Sequence, residues 1–138
     1  MAKLTLAEAE QILAGAKTKV QELGAKMSIS VVDDRGDLIA MFRNDGAAWR
    51  TPLLSKGKAV ASACFGRASG ELTENAQSPV QRAMMAIEGG NLIPGQGALP
   101  VFKDGEMVGA VGGSGGTAQE DEDAAKAGIE AAGLSSSS

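Results

Sequence analysis

The chain has 138 residues, of which 43% are hydrophobic, and this size suits one domain with a core of its own. Seventeen acidic and thirteen scattered basic residues give a net charge of −4, which argues against nucleic acid and anionic membranes as partners. No apolar run approaches membrane-spanning length, and the lone Cys64 excludes an intrachain disulfide. A cytoplasmic protein is therefore expected.

The chain begins with a predicted amphipathic helix. Thr5 and Glu8 have the spacing of a capping box, in which each side chain bonds the other residue's backbone N–H. Apolar residues then recur at three- and four-residue steps, and Gly24 supplies a C-terminal stop. These signals predict a helix over residues 6–23.

A β-hairpin is predicted next. Residues 26–33 alternate between apolar and serine side chains, which is the period of a half-buried strand. Residues 38–42 are apolar throughout, and the intervening turn has Gly36 at the position that needs positive φ. The two strands are therefore expected to pair antiparallel.

Two helices are predicted in the middle of the chain. Thr51 followed by Pro52 is typical of a helix start, with a capping hydroxyl before proline at the first helical position. The helix that follows consists mostly of glycine, alanine and serine, which would let a neighbouring backbone or a partner chain approach closely. Ser78 repeats the capping pattern and begins a second helix, which ends at residues 89–90.

A second hairpin and a final helix complete the predicted fold. The hairpin joins residues 99–103 and 107–111 through Asp104-Gly105, and a third capping box at Thr117 opens a helix that extends to about residue 132. Separate hairpins joined by helices favour an α+β fold with an antiparallel sheet and flanking helices. We expect one domain over residues 1–134 and a disordered serine tail over residues 135–138.

Two motifs near the C-terminus imitate ligand sites. The glycine cluster at residues 112–116 precedes a helix, as in a phosphate cradle, but acidic residues 120–123 already occupy that helix N-terminus and no Walker-type lysine is adjacent. Consecutive helical carboxylates point in different directions, so the acidic run does not predict a metal site. The cluster is expected to be a tight strand-to-helix connection.

The loop over residues 43–51 is the more promising binding site. It gathers Arg43, Asp45, Trp49 and Arg50 before a helix N-terminus. The two arginines would hold a carboxylate and Trp49 would supply an apolar wall. Alternatively, Trp49 plugs the core and the arginines are solvated.

Four further motifs resemble those of the GlcG/HbpS family, which includes the C-terminal domain of PduO-type proteins. They are Asp45-Gly46-Ala47 with Lys56-Gly57-Lys58-Ala59, residues 97–102, residues 105–112, and Ser114-Gly115-Gly116-Thr117 with Asp121-Glu122. The resemblance extends from about Leu4 to Gly133. It implies a profilin-like α+β domain, usually oligomeric, in a family that includes haem-binding proteins.

The resemblance and the charge pattern together predict an oligomeric protein that binds a small organic molecule or a tetrapyrrole. The expected polar ligand-binding residues are Arg43, Asp45, Arg50 and Lys56, and the residues expected to shape the site by close backbone approach are Gly89, Gly90, Gly113 and Ser114. Because the chain has no histidine, haem iron would need another ligand. The alternatives are Met84, Met85, Cys64, a lysine or Thr51.

Two other classes of function stay open at this point. A small enzyme of catabolism would use Asp45 as a general base or Lys56 as an amine catalyst, and either group would need burial. Cys64 is expected to be a small buried hydrophobe rather than a nucleophile, since no base is visible beside it. A structural or regulatory partner would instead use the small residues near Gly57 and Ala61 for assembly.

Overall fold

The computed structural model describes residues 2–138. Its helices are α1 (Leu6–Leu23), α2 (Thr51–Phe65), α3 (Pro79–Ile87) and α4 (Ala118–Ala131), and its strands are β1 (Ser28–Asp33), β2 (Leu38–Arg43), β3 (Ala98–Lys103) and β4 (Glu106–Ser114). A 3-10 helix over Ser69–Asn75, which the sequence did not predict, precedes α3. The strands form one antiparallel sheet in the order β2-β1-β4-β3. This is the expected α+β, profilin-like architecture.

Several of the local signals at the ends of these elements are confirmed. The reciprocal bonds of the capping box join Thr5 and Glu8, and Gly24 ends α1 in the left-handed conformation with φ of 67°. Thr117 caps α4 in the same way. Asp104 and Gly105 both have positive φ. This is the conformation of a two-residue hairpin turn whose backbone twist matches the right-handed twist of the flanking strands.

The sheet is covered on both faces. Helices α1 and α4 pack on each other and on one face, while α2 lies across β1 and β4 on the other face. The larger core fills the α1/α4 side, and its fully buried side chains include Ile12, Met27, Ile29, Val31 and Ile129. Burial of this apolar surface is the main stabilising contribution.

Residues 28–32 of β1 are buried on both faces, so the prediction of a half-buried strand is wrong. The Ser28 hydroxyl lies 2.9 Å from Thr51 Oγ1, and the Ser30 hydroxyl lies 2.7 Å from Ser55 Oγ. These pairs satisfy polar groups that would otherwise be costly to bury beneath α2. The prediction that the Thr51 hydroxyl caps α2 is wrong, because Thr51 is the first residue of that helix and the N-cap is Arg50, whose side chain makes no capping hydrogen bond.

The glycine cluster begins within β4 and is not wholly a loop, which corrects the expected strand end. A side chain on Gly112 would collide with the backbone of α2 at Ser55, and one on Gly113 would lie 2.8 Å from the Asp121 carbonyl oxygen of α4. The helices on both faces thus lie directly against the backbone of this part of β4. Glycine is required here by space rather than by phosphate binding.

The small residues of α2 contact their own chain. A side chain on Gly57 would meet Ile93, whose backbone N–H donates to the Gly57 carbonyl oxygen at 3.0 Å. Ala61 is fully buried in a cluster with Leu72 and Leu92. These positions are therefore occupied within the monomer, and the hypothesis that they form an assembly surface is wrong.

The serine tail begins with an ordered contact. Two backbone hydrogen bonds join Ser135 to Phe102 of β3, at 2.7 and 3.2 Å. The domain boundary at residue 134 stays a prediction, and so does disorder of residues 136–138.

Candidate ligand-binding groove

An open groove of about 480 Å³ lies between α1 and the end of β2. Its lining residues are Glu10, Leu13, Ala14, Lys17, Phe42, Arg43, Asn44 and Asp45. The four residues from α1 occupy positions i, i+3, i+4 and i+7, which places them on one face of the helix. A single face of α1 therefore forms one wall, and the β2 terminus with its turn forms the other.

The turn after β2 is fixed by hydrogen bonds. The Asn44 backbone N–H donates to the Met27 carbonyl oxygen at 2.9 Å, and the Asn44 side-chain oxygen accepts from the Met27 N–H at 3.1 Å. Gly46 completes the turn with φ of 81°, close to the Lys26 side chain. These contacts hold the groove residues on either side of Asn44 in a defined position.

The groove combines charge with apolar surface. Lys17 and Arg43 bring positive charge to the lining, Glu10 and Asp45 bring negative charge, and Leu13, Ala14 and Phe42 contribute apolar surface. Within this balanced set of charges, the two basic residues suit the carboxylate of an organic molecule with an apolar body, which Arg binds bidentately and Lys binds as a point charge.

The structure separates the predicted loop residues into two groups. Arg43 and Asp45 border the groove. Trp49 and Arg50 do not, and the Arg50 guanidinium lies 3.6 Å above the centre of the Trp49 ring. Trp49 is 70% exposed, so the alternative in which it plugs the core is wrong.

Lys56 lies on the other side of the sheet from α1. It precedes Val60 by one helical turn, and a side chain added at Gly36, in the turn between β1 and β2, would lie 3.5 Å from Val60, so both α2 residues lie on the flank towards that hairpin. Lys56 is half-buried and Asp45 is exposed. Neither side chain has the burial that the enzyme hypothesis requires.

The four residues expected to shape the site lie in two different environments. Gly89 and Gly90 are exposed after α3 with positive φ, and apart from their chain neighbours no described residue would contact a side chain at either position. Gly113 and Ser114 are buried at the end of β4. Ligand binding by all nine predicted residues stays a prediction.

Sequence reasoning missed a buried ion pair between α2 and α4. Lys58 Nζ donates to Asp121 Oδ2 and to the Gly113 carbonyl oxygen, both at 3.1 Å, and the Gly116 N–H donates to Asp121 Oδ1 at 2.9 Å. The Lys58 and Asp121 side chains are 13% and 4% exposed. Burial raises the pKa of Asp121, outweighing the lowering by the Gly116 hydrogen bond and the Lys58 charge.

The candidate iron ligands other than lysine lie outside the groove. Met84 and Met85 pack on the cluster around Val60, and the Thr51 hydroxyl is engaged by Ser28 and by the Ala48 carbonyl oxygen. A lysine was also among the candidate iron ligands, and Lys17 borders the groove.

Cys64 is exposed, which corrects the expectation of a buried hydrophobe. Partial burial and the Glu88 charge raise the pKa of the Cys64 thiol, the opposite of what a reactive thiolate needs. Within residues 2–138, no three His, Cys, Asp or Glu side chains are grouped so that they could hold a metal ion.

No helix in the described part of the chain is both long and apolar enough to span a bilayer.

Comparison with known proteins agrees with the architecture. The family model described as "Haem degrading protein HbpS-like" matches residues 4–130. The protein GlcG of Escherichia coli K12 is 34% identical over 105 residues, covering 75% of both chains. An uncharacterized 15.0 kDa protein from the dhaT-dhaS intergenic region of Citrobacter freundii is 30% identical over 122 residues, covering 88% of this chain and 86% of that protein.

A solved structure shares the fold over nearly its whole length. The crystal structure of a PduOC:heme complex superposes with a TM-score of 0.88 at 24% identity, covering 99% of this chain and 100% of that one. At this identity the likeness establishes the fold. The match of the family model over residues 4–130 and the 34% identity to GlcG show that the chain belongs to the GlcG/HbpS family.

Proposed function

We propose that the protein binds an organic carboxylate with an apolar body in the groove between α1 and the end of β2. The observation that carries this proposal is that the basic residues Lys17 and Arg43 line the same groove as the apolar Leu13 and Phe42, beside the acidic Glu10 and Asp45. The basic groups would bind the carboxylate, and the apolar side chains would cover the body of the ligand. The absence of a second cysteine supports a cytoplasmic location for this binding.

A tetrapyrrole is the first ligand class to test. Its two propionates match the two basic residues, its ring is apolar, and a related fold has been solved as a PduOC:heme complex. The groove would contact the propionates and the ring rather than ligate the iron strongly, because its lining contains no histidine, cysteine or methionine. Small carboxylates from catabolism are the second class.

The test compares hemin with iron-free protoporphyrin IX by absorbance titration, alongside small hydroxy and keto acids by calorimetry. We expect saturable binding of both tetrapyrroles with dissociation constants within about tenfold, since the iron would not dominate the affinity. If hemin binds and protoporphyrin IX does not, an iron ligand dominates, and the proposed role of the groove is overturned.

Matched variants locate the site. Lys17→Ala and Arg43→Ala should each weaken binding by roughly 10-fold or more, which corresponds to the loss of one charge-assisted hydrogen bond. Lys19→Ala on the same helix and Arg50→Ala beside Trp49 are the controls, because neither residue borders the groove. Equal weakening by the control variants, or unchanged binding in both groove variants, would contradict the assignment.

A further inference from the structure

The lining of the groove between α1 and the end of β2 carries as much negative charge as positive charge. Lys17 and Arg43 are matched by Glu10 and Asp45, so the charges of the lining cancel. Each wall contributes one residue of each sign, since Glu10 and Lys17 belong to α1, while Arg43 and Asp45 belong to the β2 terminus and its turn. A carboxylate ligand gives a role to the two basic residues and leaves the two acidic ones without any.

These four charged side chains are not paired with one another. No ion pair among residues 2–138 includes any of them, although all four border one cavity of about 480 Å³. All four residues are also exposed, so their charged groups keep their hydration in the absence of a ligand. Both signs of charge are therefore available to a molecule that enters the groove.

A ligand whose only charged group is a carboxylate uses this lining poorly. The Coulomb energy depends on the product of the charges and on their separation, so attraction and repulsion are of equal size at equal distance. The attraction of a carboxylate to Arg43 is thus opposed by its repulsion from Asp45, two residues away in the same lining. An ammonium group on the same ligand would turn that repulsion into attraction.

We propose that the groove binds an α-amino acid with an apolar side chain. This inference rests on the proposed function and narrows its second ligand class, the small carboxylates. Arg43 binds the carboxylate, and the Asp45 carboxylate accepts hydrogen bonds from the ammonium group. The two residues flank Asn44, whose two hydrogen bonds to Met27 fix the backbone between them.

The spacing of the charges favours the β2 wall for the charged end of the ligand. Arg43 and Asp45 are separated by at most about 7 Å of backbone, even when that backbone is fully extended. Glu10 and Lys17 lie about 10 Å apart along the helix axis, because seven residues separate them. The ammonium and carboxylate of an α-amino acid are attached to the same carbon atom, so they match the closer pair.

The apolar part of the lining suits the side chain of such a ligand. Leu13 and Phe42 are half-buried, and both pack on the larger core. Their exposed parts therefore form a supported apolar surface beside the charged groups. An aromatic or branched aliphatic side chain would cover this surface and remove it from water.

Two matched sets of ligands test whether both charges are required. L-phenylalanine, phenylpropionate and phenylethylamine share an aromatic body and differ in their charged groups. L-leucine, isocaproate and isoamylamine do the same with a branched aliphatic body. In calorimetric titrations at pH 7, the amino acid of at least one set should bind roughly tenfold or more tightly than both of its analogues, which corresponds to one additional charge-assisted hydrogen bond.

Removing the Asp45 charge should have opposite effects on the amino acid and on its carboxylate analogue. Asp45→Asn should weaken binding of the amino acid by roughly tenfold, because the ammonium loses its charged partner. The same variant should tighten binding of the carboxylate analogue, because a repulsive charge is removed. Asp34→Asn, in the exposed turn between β1 and β2 outside the groove, changes the net charge equally and should leave both constants unchanged.

Opposite effects of one substitution cannot arise from a general loss of structure. A carboxylate analogue that binds as tightly as its amino acid overturns this inference, and so does unchanged amino-acid binding in Asp45→Asn. In either case, binding that Arg43→Ala weakens leaves the proposed function standing. If the wild type binds none of the six ligands, this inference is overturned, and the tetrapyrrole titration decides the proposed function separately.

Discussion

Removing one partner of the Lys58–Asp121 pair should destabilise the fold strongly. Lys58→Met keeps the length of the aliphatic chain but leaves the Asp121 carboxylate, 4% exposed, with the Gly116 N–H as its remaining partner. Asp121→Leu leaves the Lys58 ammonium with the Gly113 carbonyl oxygen. Breaking a buried pair from one side costs about 3–5 kcal/mol, because an uncompensated charge stays buried.

The double variant separates this desolvation effect from the attraction between the charges. Lys58→Met with Asp121→Leu removes both charges, so its loss of unfolding free energy should be smaller than the sum of the single losses by about 1–3 kcal/mol. Arg67→Met serves as the exposed control, since Arg67 and Glu71 are both 56% exposed. That substitution should cost only about 0.3–0.5 kcal/mol.

The destabilisation of Lys58→Met should depend on pH. Burial already raises the folded-state pKa of Asp121 above its unfolded value, and loss of the ammonium raises it further. A group with a raised folded pKa favours the folded state at low pH, and this contribution disappears as the pH rises through the folded pKa. The deficit of Lys58→Met relative to wild type should therefore shrink as the pH falls from 7 towards the unfolded pKa of Asp121.

Urea unfolding followed by circular dichroism at 222 nm measures these free energies at each pH. Against a total stability of about 5–15 kcal/mol for a domain, a loss of 3–5 kcal/mol is readily resolved. A Lys58→Met variant within about 1 kcal/mol of wild type at pH 7 would refute the reasoning. A deficit that stays constant as the pH falls would refute the argument that the Lys58 charge lowers the pKa of Asp121.

Gly112→Ala should lower the free energy of unfolding, measured in urea, by about 1–3 kcal/mol or more. The new methyl group would collide with the Ser55 carbonyl oxygen. Gly95→Ala, whose new methyl group would have only Ile93 about 4.0 Å away, is the control and should change stability little. Reaction of Cys64 with a disulfide reagent should increase at higher pH than for an ordinary thiol, and Glu88→Gln should shift this profile to lower pH. A Cys64 profile below the ordinary thiol range, or a Gly95 variant as unstable as Gly112→Ala, would contradict these arguments.

Local signals allowed most of the elements to be predicted from the sequence. Capping boxes at Thr5 and Thr117 and the positive φ at Gly36 act within a few residues, so their geometry follows from neighbouring side chains. Contacts between distant segments could not be predicted in the same way. The alternation around Ser30 indicates a half-exposed strand until Ser55, 25 residues later, is known to cover it.

The candidate site was predicted only in part for a similar reason. Arg43 and Asp45 were identified because they lie in one loop with other charged residues. Lys17 and Leu13 of the opposite wall lie on a helix face that reads from the sequence as ordinary amphipathic surface. Only the packing of α1 beside the β2 terminus turns that surface into a groove.

The exposed position of Trp49 determines what the fluorescence of this protein can report in solution. Trp49 is the only tryptophan and there is no tyrosine, so the near-ultraviolet emission comes from one indole. That indole is 70% exposed in the folded chain, and unfolding will change its surroundings little. Its fluorescence is therefore a poor probe of denaturation but a sensitive one for any molecule that covers the start of α2, where loss of contact with water would shift the emission to shorter wavelength.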